Sequence, residues 1–138
     1  MSPIRLVMAL MLAGCAGCAD EDLVLTPVPE LRTDVAASVA RWTEACPEAR
    51  VSVGVGGVPV EIATDLEGTG HDGATTVLDD GRATRIRVLR IDRIGRILDH
   101  EIGHAMGLLD GDSPIMAARG IPGEIVPADC AALARRRR

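Results

Sequence analysis

The run His100-Glu101-Ile102-Gly103-His104-Ala105-Met106-Gly107-Leu108-Leu109-Asp110 constrains this chain more than any other stretch. Read as a helix, it projects His100 and His104 from one face, one turn apart. That is the spacing at which two imidazoles reach a single zinc ion at about 2.0–2.1 Å each. Glu101 falls on the flank of the same face, better placed to hold and deprotonate a water at the metal than to bind the metal itself. A catalytic zinc ordinarily takes three protein ligands and keeps one position open. Gly107 accepts a positive φ, which ends a helix and turns the backbone on itself. Asp110, three residues on, then comes within reach of the ion, and Ser113-Pro114-Ile115-Met116 comes soon after it.

The pattern H-E-x-x-H-x-x-G-x-x-D with a methionine turn after it resembles the metzincin metalloproteases. The nearest subgroup by pattern is the small snapalysin type, whose third ligand is aspartate, with matrixin-like peptidases close behind. The resemblance is tight over residues 97–116 and looser elsewhere. It implies a Zn2+ cofactor held by His100, His104 and Asp110, with Glu101 as general base, Gly107 at the turn and Met116 beneath the metal. It also implies a polypeptide substrate and an α+β fold: a twisted mixed sheet, an N-terminal helix, an active-site helix, the methionine turn and a short C-terminal helix. Aspartate in place of histidine at 110 makes the centre less positive. Water at such a centre is acidified less strongly, so more falls to Glu101. The chain has no Tyr, so the tyrosine that some metzincins carry after the methionine turn has no counterpart. The substrate carbonyl must then be polarised by zinc or by a backbone donor.

Residues 1–14 read as a secretory signal: Arg5 is the charged start, Leu6 to Leu12 an apolar run too short to span a bilayer, and small residues come next. Leu12-Ala13-Gly14-Cys15 is similar to the bacterial lipobox, which implies cleavage before Cys15 and lipidation of that residue; a plain signal peptide is the alternative. Two or three acyl chains anchor a protein firmly where one is marginal. With Ala16 after the cysteine, the expected location in a Gram-negative host is the outer membrane, and otherwise the cell envelope or the extracellular space. Loss of residues 1–14 removes Arg5 and no acid, moving the net charge of −5 by one unit further negative. That balance argues against nucleic acid as a partner. The Arg135–Arg138 cluster reads as a solvated, frayed end. Residues 15–30 are assigned to a lipidated tether and 31–138 to the domain, which is expected to be a monomer. With lipid on Cys15, three cysteines remain in an oxidising compartment. Cys46 and Cys130 lie near the two ends of the domain and are paired, as in some metzincins. Cys18 stays in the tether.

With a single Trp and neither Phe nor Tyr, the core must be built from Val, Ile, Leu, Ala and Met. Leu23-Val24-Leu25 is a candidate first strand. Val35, Val39, Trp42 and Ala45 recur at helical intervals within 31–45, and Pro47 marks the end of that helix. Val51 to Val55 and Val58 to Ala63 read as strands on either side of a Gly56-Gly57 turn. The loop 65–73 carries His71, read as solvent-exposed, with a second, structural metal as the alternative. Ala74 to Leu78 and Arg85 to Ile91 read as further strands. By its place in the order, the first of these matches the edge strand that pairs with substrate in the resembled family. Asp92 is the expected N-cap of the helix 93–107, and a C-terminal helix is expected over 128–135. In metzincins the loop after the methionine turn shapes the pocket beyond the cut bond, which brings in Arg119 and Ile121. Two other readings stay open here: a zinc-binding surface lipoprotein that cuts nothing, and a structural lipoprotein with an incidental H-E-x-x-H.

Overall fold

A computed structural model describes residues 22–66 and 72–136. The signal peptide, Cys15, Cys18, His71 and the last two arginines lie outside those residues. The order of elements is β1 (Leu23–Pro27), a 3-10 turn (Pro29–Leu31), α1 (Arg32–Ala45), β2 (Val51–Val53), β3 (Val58–Ala63), β4 (Gly73–Val77), β5 (Ala83–Leu89), α2 (Ile94–Ala105), a second 3-10 turn (Pro114–Met116) and α3 (Pro127–Arg136). The architecture is α+β, with one five-stranded mixed sheet ordered β2-β1-β3-β5-β4. Four strands run parallel; β4 is an antiparallel edge on β5.

β1 sits between β2 and β3, inside the span 15–30 that the sequence suggested was a tether, so the domain begins earlier than residue 31. The candidate strand at Leu23-Val24-Leu25 is thus present and runs on to Pro27, but as a strand flanked on both sides rather than as part of a tether. Gly56-Gly57 likewise does not close a hairpin. β2 pairs with the first half of β1 through Leu23↔Val51 and Leu25↔Val53, whereas β3 pairs on the other side through Leu25↔Val58 and Pro27↔Val60. The chain between them crosses over the β1 backbone. A Cβ on Gly57 would lie 2.2 Å from the Val24 carbonyl oxygen, so no other residue fits at the crossing. Thr26 Oγ1 pins the crossing, donating to Gly54 O and accepting from Gly57 N, both at 2.8 Å.

Leu25, Val60, Ile86 and Val88 face one side of the sheet and are buried against Val35 and Trp42 of α1 and Leu98 and Ile102 of α2. In the absence of Phe and Tyr, Trp42 is the largest buried side chain, and its Nε1 donates to Asp99 O at 3.0 Å. That bond ties α1 to the middle of α2. Cys46, at the end of α1, is disulfide-bonded to Cys130 of α3 with Cα atoms 5.3 Å apart. Among the described residues no helix is long and apolar enough to cross a membrane.

Candidate metal centre

α2 delivers both histidines. Its start differs from the expected one: Arg93 occupies the N-cap position and makes no side-chain capping bond, so Asp92 does not cap the helix. The helix is held instead by its buried face. Asp99, 1% exposed, accepts from Ser38 Oγ and from Arg41, whose Nε lies 3.0 Å from Oδ2 and whose Nη2 lies 2.9 Å from Oδ1. Burial pushes the Asp99 carboxyl up, and the Arg41 and Ser38 hydrogen bonds pull it back. With Trp42 on its carbonyl, Asp99 locks the rotation of α2 about its axis, and the neighbouring His100 is aimed as a consequence. This anchor is not apparent from the sequence. Its one local sign is an aspartate between Leu98 and His100, in a run otherwise committed to the core.

The end of α2 brings the third residue round. Gly107 has φ +105°. Leu108 N donates to Gly103 O and Gly107 N to His104 O, both at 3.0 Å, which satisfies the last carbonyls of the helix in a Schellman turn. The turn buries Leu108 and points its carbonyl back at His104. Asp112 steadies the next bend of the chain, accepting from Leu109 N at 2.7 Å and from Arg136 Nε at 3.0 Å. The Arg136 hydrogen bond holds the Asp112 carboxyl below its usual range. Arg136 is therefore part of α3 and ion-paired; it does not belong to a frayed end.

His100 Nε2 and His104 Nε2 lie 3.1 Å apart, and Asp110 Oδ1 lies 3.2 Å and 3.1 Å from them. The other ring nitrogens are committed: His100 Nδ1 is 2.9 Å from Ile115 O, and His104 Nδ1 is 2.8 Å from Leu108 O. A carbonyl only accepts, so each Nδ1 carries a proton, and a ring in its neutral form then has its bare lone pair at Nε2, facing the other. Three lone-pair atoms facing one point repel unless a cation lies between them. A tetrahedral zinc with ligands at about 2.0–2.1 Å fits a triangle of this size, so the donor set suits the ion that the sequence pattern implies. The carbonyls that fix the tautomers are the outer-shell partners such a site needs.

Ile115 is itself held: its N–H donates to Asp129 Oδ1 at 2.9 Å, while Asp129 Oδ2 accepts from Val126 N at 2.7 Å. Asp129 is fully buried in the first turn of α3, so one carboxylate caps that helix and fixes the turn whose carbonyl orients His100. The sequence carries a faint sign of it, since an acid three residues after Val126 is a capping signal. Met116 is fully buried below, and a Cβ on Gly103 would come within 2.5 Å of its sulfur. Gly103→Ala should therefore displace Met116 and cost about 1–3 kcal/mol in a denaturant melt, as overpacking does. An unchanged melt would mean that the sulfur moves freely.

Glu101 is 5% exposed and flanks the triangle; its carboxylate belongs with the two imidazoles to a group compact enough to hold a metal ion. Thr75 Oγ1 lies 3.0 Å from both Glu101 Oε2 and Glu101 O. Burial pushes the Glu101 carboxyl above its usual range, against the pull of His104, Thr75 and His100. Gly73 lets β4 approach this closely, since a Cβ there would lie 2.8 Å from Glu101 Cγ. The centre opens into a cleft of about 420 Å³ whose walls include β4, the start of α2 and the loop 118–121.

No family model matches the chain, and no curated protein matches it. Among solved structures the chain is similar to that titled "Structure of myroilysin", at 15% sequence identity and a TM-score of 0.46. The match covers 67% of this chain and 50% of that one, so this chain spans about half the length of the structure it resembles.

Proposed function

We propose that the chain is a zinc-dependent endopeptidase. The observation that carries this reading is the convergence of His100 Nε2, His104 Nε2 and Asp110 Oδ1 within 3.2 Å of one another, with Glu101 beside them on the wall of an open cleft. His100, His104 and Asp110 would hold the ion. When bound, zinc supplies Lewis acidity, polarising a carbonyl and acidifying water. Glu101 accepts the proton of the attacking water and passes it to the leaving amine. Thr75 steadies one Glu101 oxygen and leaves the other for that transfer. An extended peptide pairs with the open edge of β4, so the cleft takes hold of substrate backbone before side chains.

In this reading the mature protein is a monomer anchored to the bacterial envelope through lipid on Cys15, acting on polypeptides and not on nucleic acid. The alternative is a surface lipoprotein that binds zinc and cuts nothing. Elemental analysis of purified protein, joined to a digest of unfolded casein with and without chelator, separates the two. About one zinc per chain and chelator-sensitive cleavage are expected. Zinc without cleavage leaves the binding module, and a protein without metal removes both.

A further inference from the structure

Three arginines gather in the cleft beside the metal centre, alongside the carboxylates of Asp72, Glu101 and Asp110. The chain has a net charge of −5, yet Arg93, Arg96 and Arg119 all line this cavity. Arg93 lies 4.0 Å from Asp72. Arg96 and Arg119 form no ion pair among the described residues. Position 96 precedes His100 by the interval that separates His100 from His104, so Arg96 stands on the same face of α2, one turn nearer its start. Its guanidinium runs against the loop opposite, where a Cβ on Gly123 would lie 3.3 Å from Nη2. Arg119 comes from that loop. Two unneutralised forks of donors, one from each wall, thus face the space beside the triangle. Asp110 and Glu101 also border it, but their charge is engaged at the metal centre and by Thr75.

We propose that Arg96 and Arg119 make this cleft a reader of carboxylates, selecting peptides with an acidic group next to the scissile bond. A guanidinium meets a carboxylate through two parallel hydrogen bonds, a fit that an amide or an alkyl side chain cannot match. The carboxylate comes either from an Asp or Glu side chain or from a free peptide C-terminus. The inference rests on the peptidase reading only for where the peptide lies.

Zinc-loaded Glu101→Gln protein, which binds without turning over, is titrated with fluorescently labelled alanine-rich peptides. Three are amidated and carry a central Asp, Asn or Arg; a fourth is all alanine with a free C-terminus. The Asp peptide is expected to bind about tenfold more tightly than the Asn peptide, the ratio that one charge-assisted hydrogen bond supplies. The gap should narrow as salt shortens the reach of the charges. In the Arg96→Glu/Arg119→Glu background the order is expected to reverse in favour of the Arg peptide. Tight binding of the free C-terminus alone would assign the carboxylate to the chain end. The Asp, Asn and free-C-terminus peptides all binding within twofold of one another, or an order unchanged in the double variant, would overturn the proposal. A casein digest by wild-type protein keeps the two readings apart. Cleavage without acidic residues enriched beside the cut overturns the selectivity and leaves the peptidase; Asp-selective binding without cleavage does the reverse.

Discussion

Glu101→Ala protein is expected to retain about one zinc per chain and to lose peptide hydrolysis by about 10²–10⁴-fold in kcat, the usual worth of a positioned general base. Both halves stem from placement. In the proposed site the ion is held by His100, His104 and Asp110, whose three atoms converge, so the metal is expected to survive the loss of Glu101. Its carboxylate is buried between Thr75 of β4 and the imidazole pair, where the proposed mechanism gives it the proton of the attacking water to move. Metal content and casein turnover measured on one preparation check the prediction. Activity within tenfold of the parent would remove Glu101 from the base role, and loss of the metal would make it a ligand.

Replacing Cys46 and Cys130 together by serine is expected to lower stability by about 4 kcal/mol, read as a shift in the denaturant midpoint. The two cysteines are 84 residues apart, so the bridge removes a long loop's worth of freedom from the unfolded chain. For a chain of 14.5 kDa that is a large share of a net stability of about 5–15 kcal/mol. The bridge also holds α3, which carries Asp129 and, through Ile115, orients His100. Zinc affinity should therefore weaken along with stability. A midpoint shift worth less than about 1 kcal/mol would show that the packing of α3 suffices without the bridge.

The legible part of the sequence was local. The interval between His100 and His104, the helix end at Gly107 and the return of Asp110 all lie within three turns of chain, where backbone geometry leaves few choices. Val58 to Ala63 and the helix after Leu31 were legible for the same reason, from periodicity. The misses are long-range. Gly56-Gly57 carries the composition of a hairpin turn, but the partner that decides its role is β1, some thirty residues earlier, and pairing at that distance leaves no periodic trace. β1 was legible as a candidate strand at Leu23-Val24-Leu25, but not its place inside the sheet, which moves the start of the domain into the span assigned to the tether. Asp99 and Asp129 are buried acids whose partners come from α1 and from the methionine turn, so their sequence neighbours do not announce them. Asp92 has the residue type of a cap but not the geometry; the helix relies on Asp99 and Trp42 for its placement.

Zinc K-edge X-ray absorption on the loaded protein tests the central claim most directly. Two imidazole nitrogens and one carboxylate oxygen at about 2.0–2.1 Å, with no sulfur, is the shell that His100, His104 and Asp110 predict. A sulfur shell at about 2.3 Å would contradict the zinc assignment to these three residues, and so would a protein that emerges from loading and gel filtration without metal.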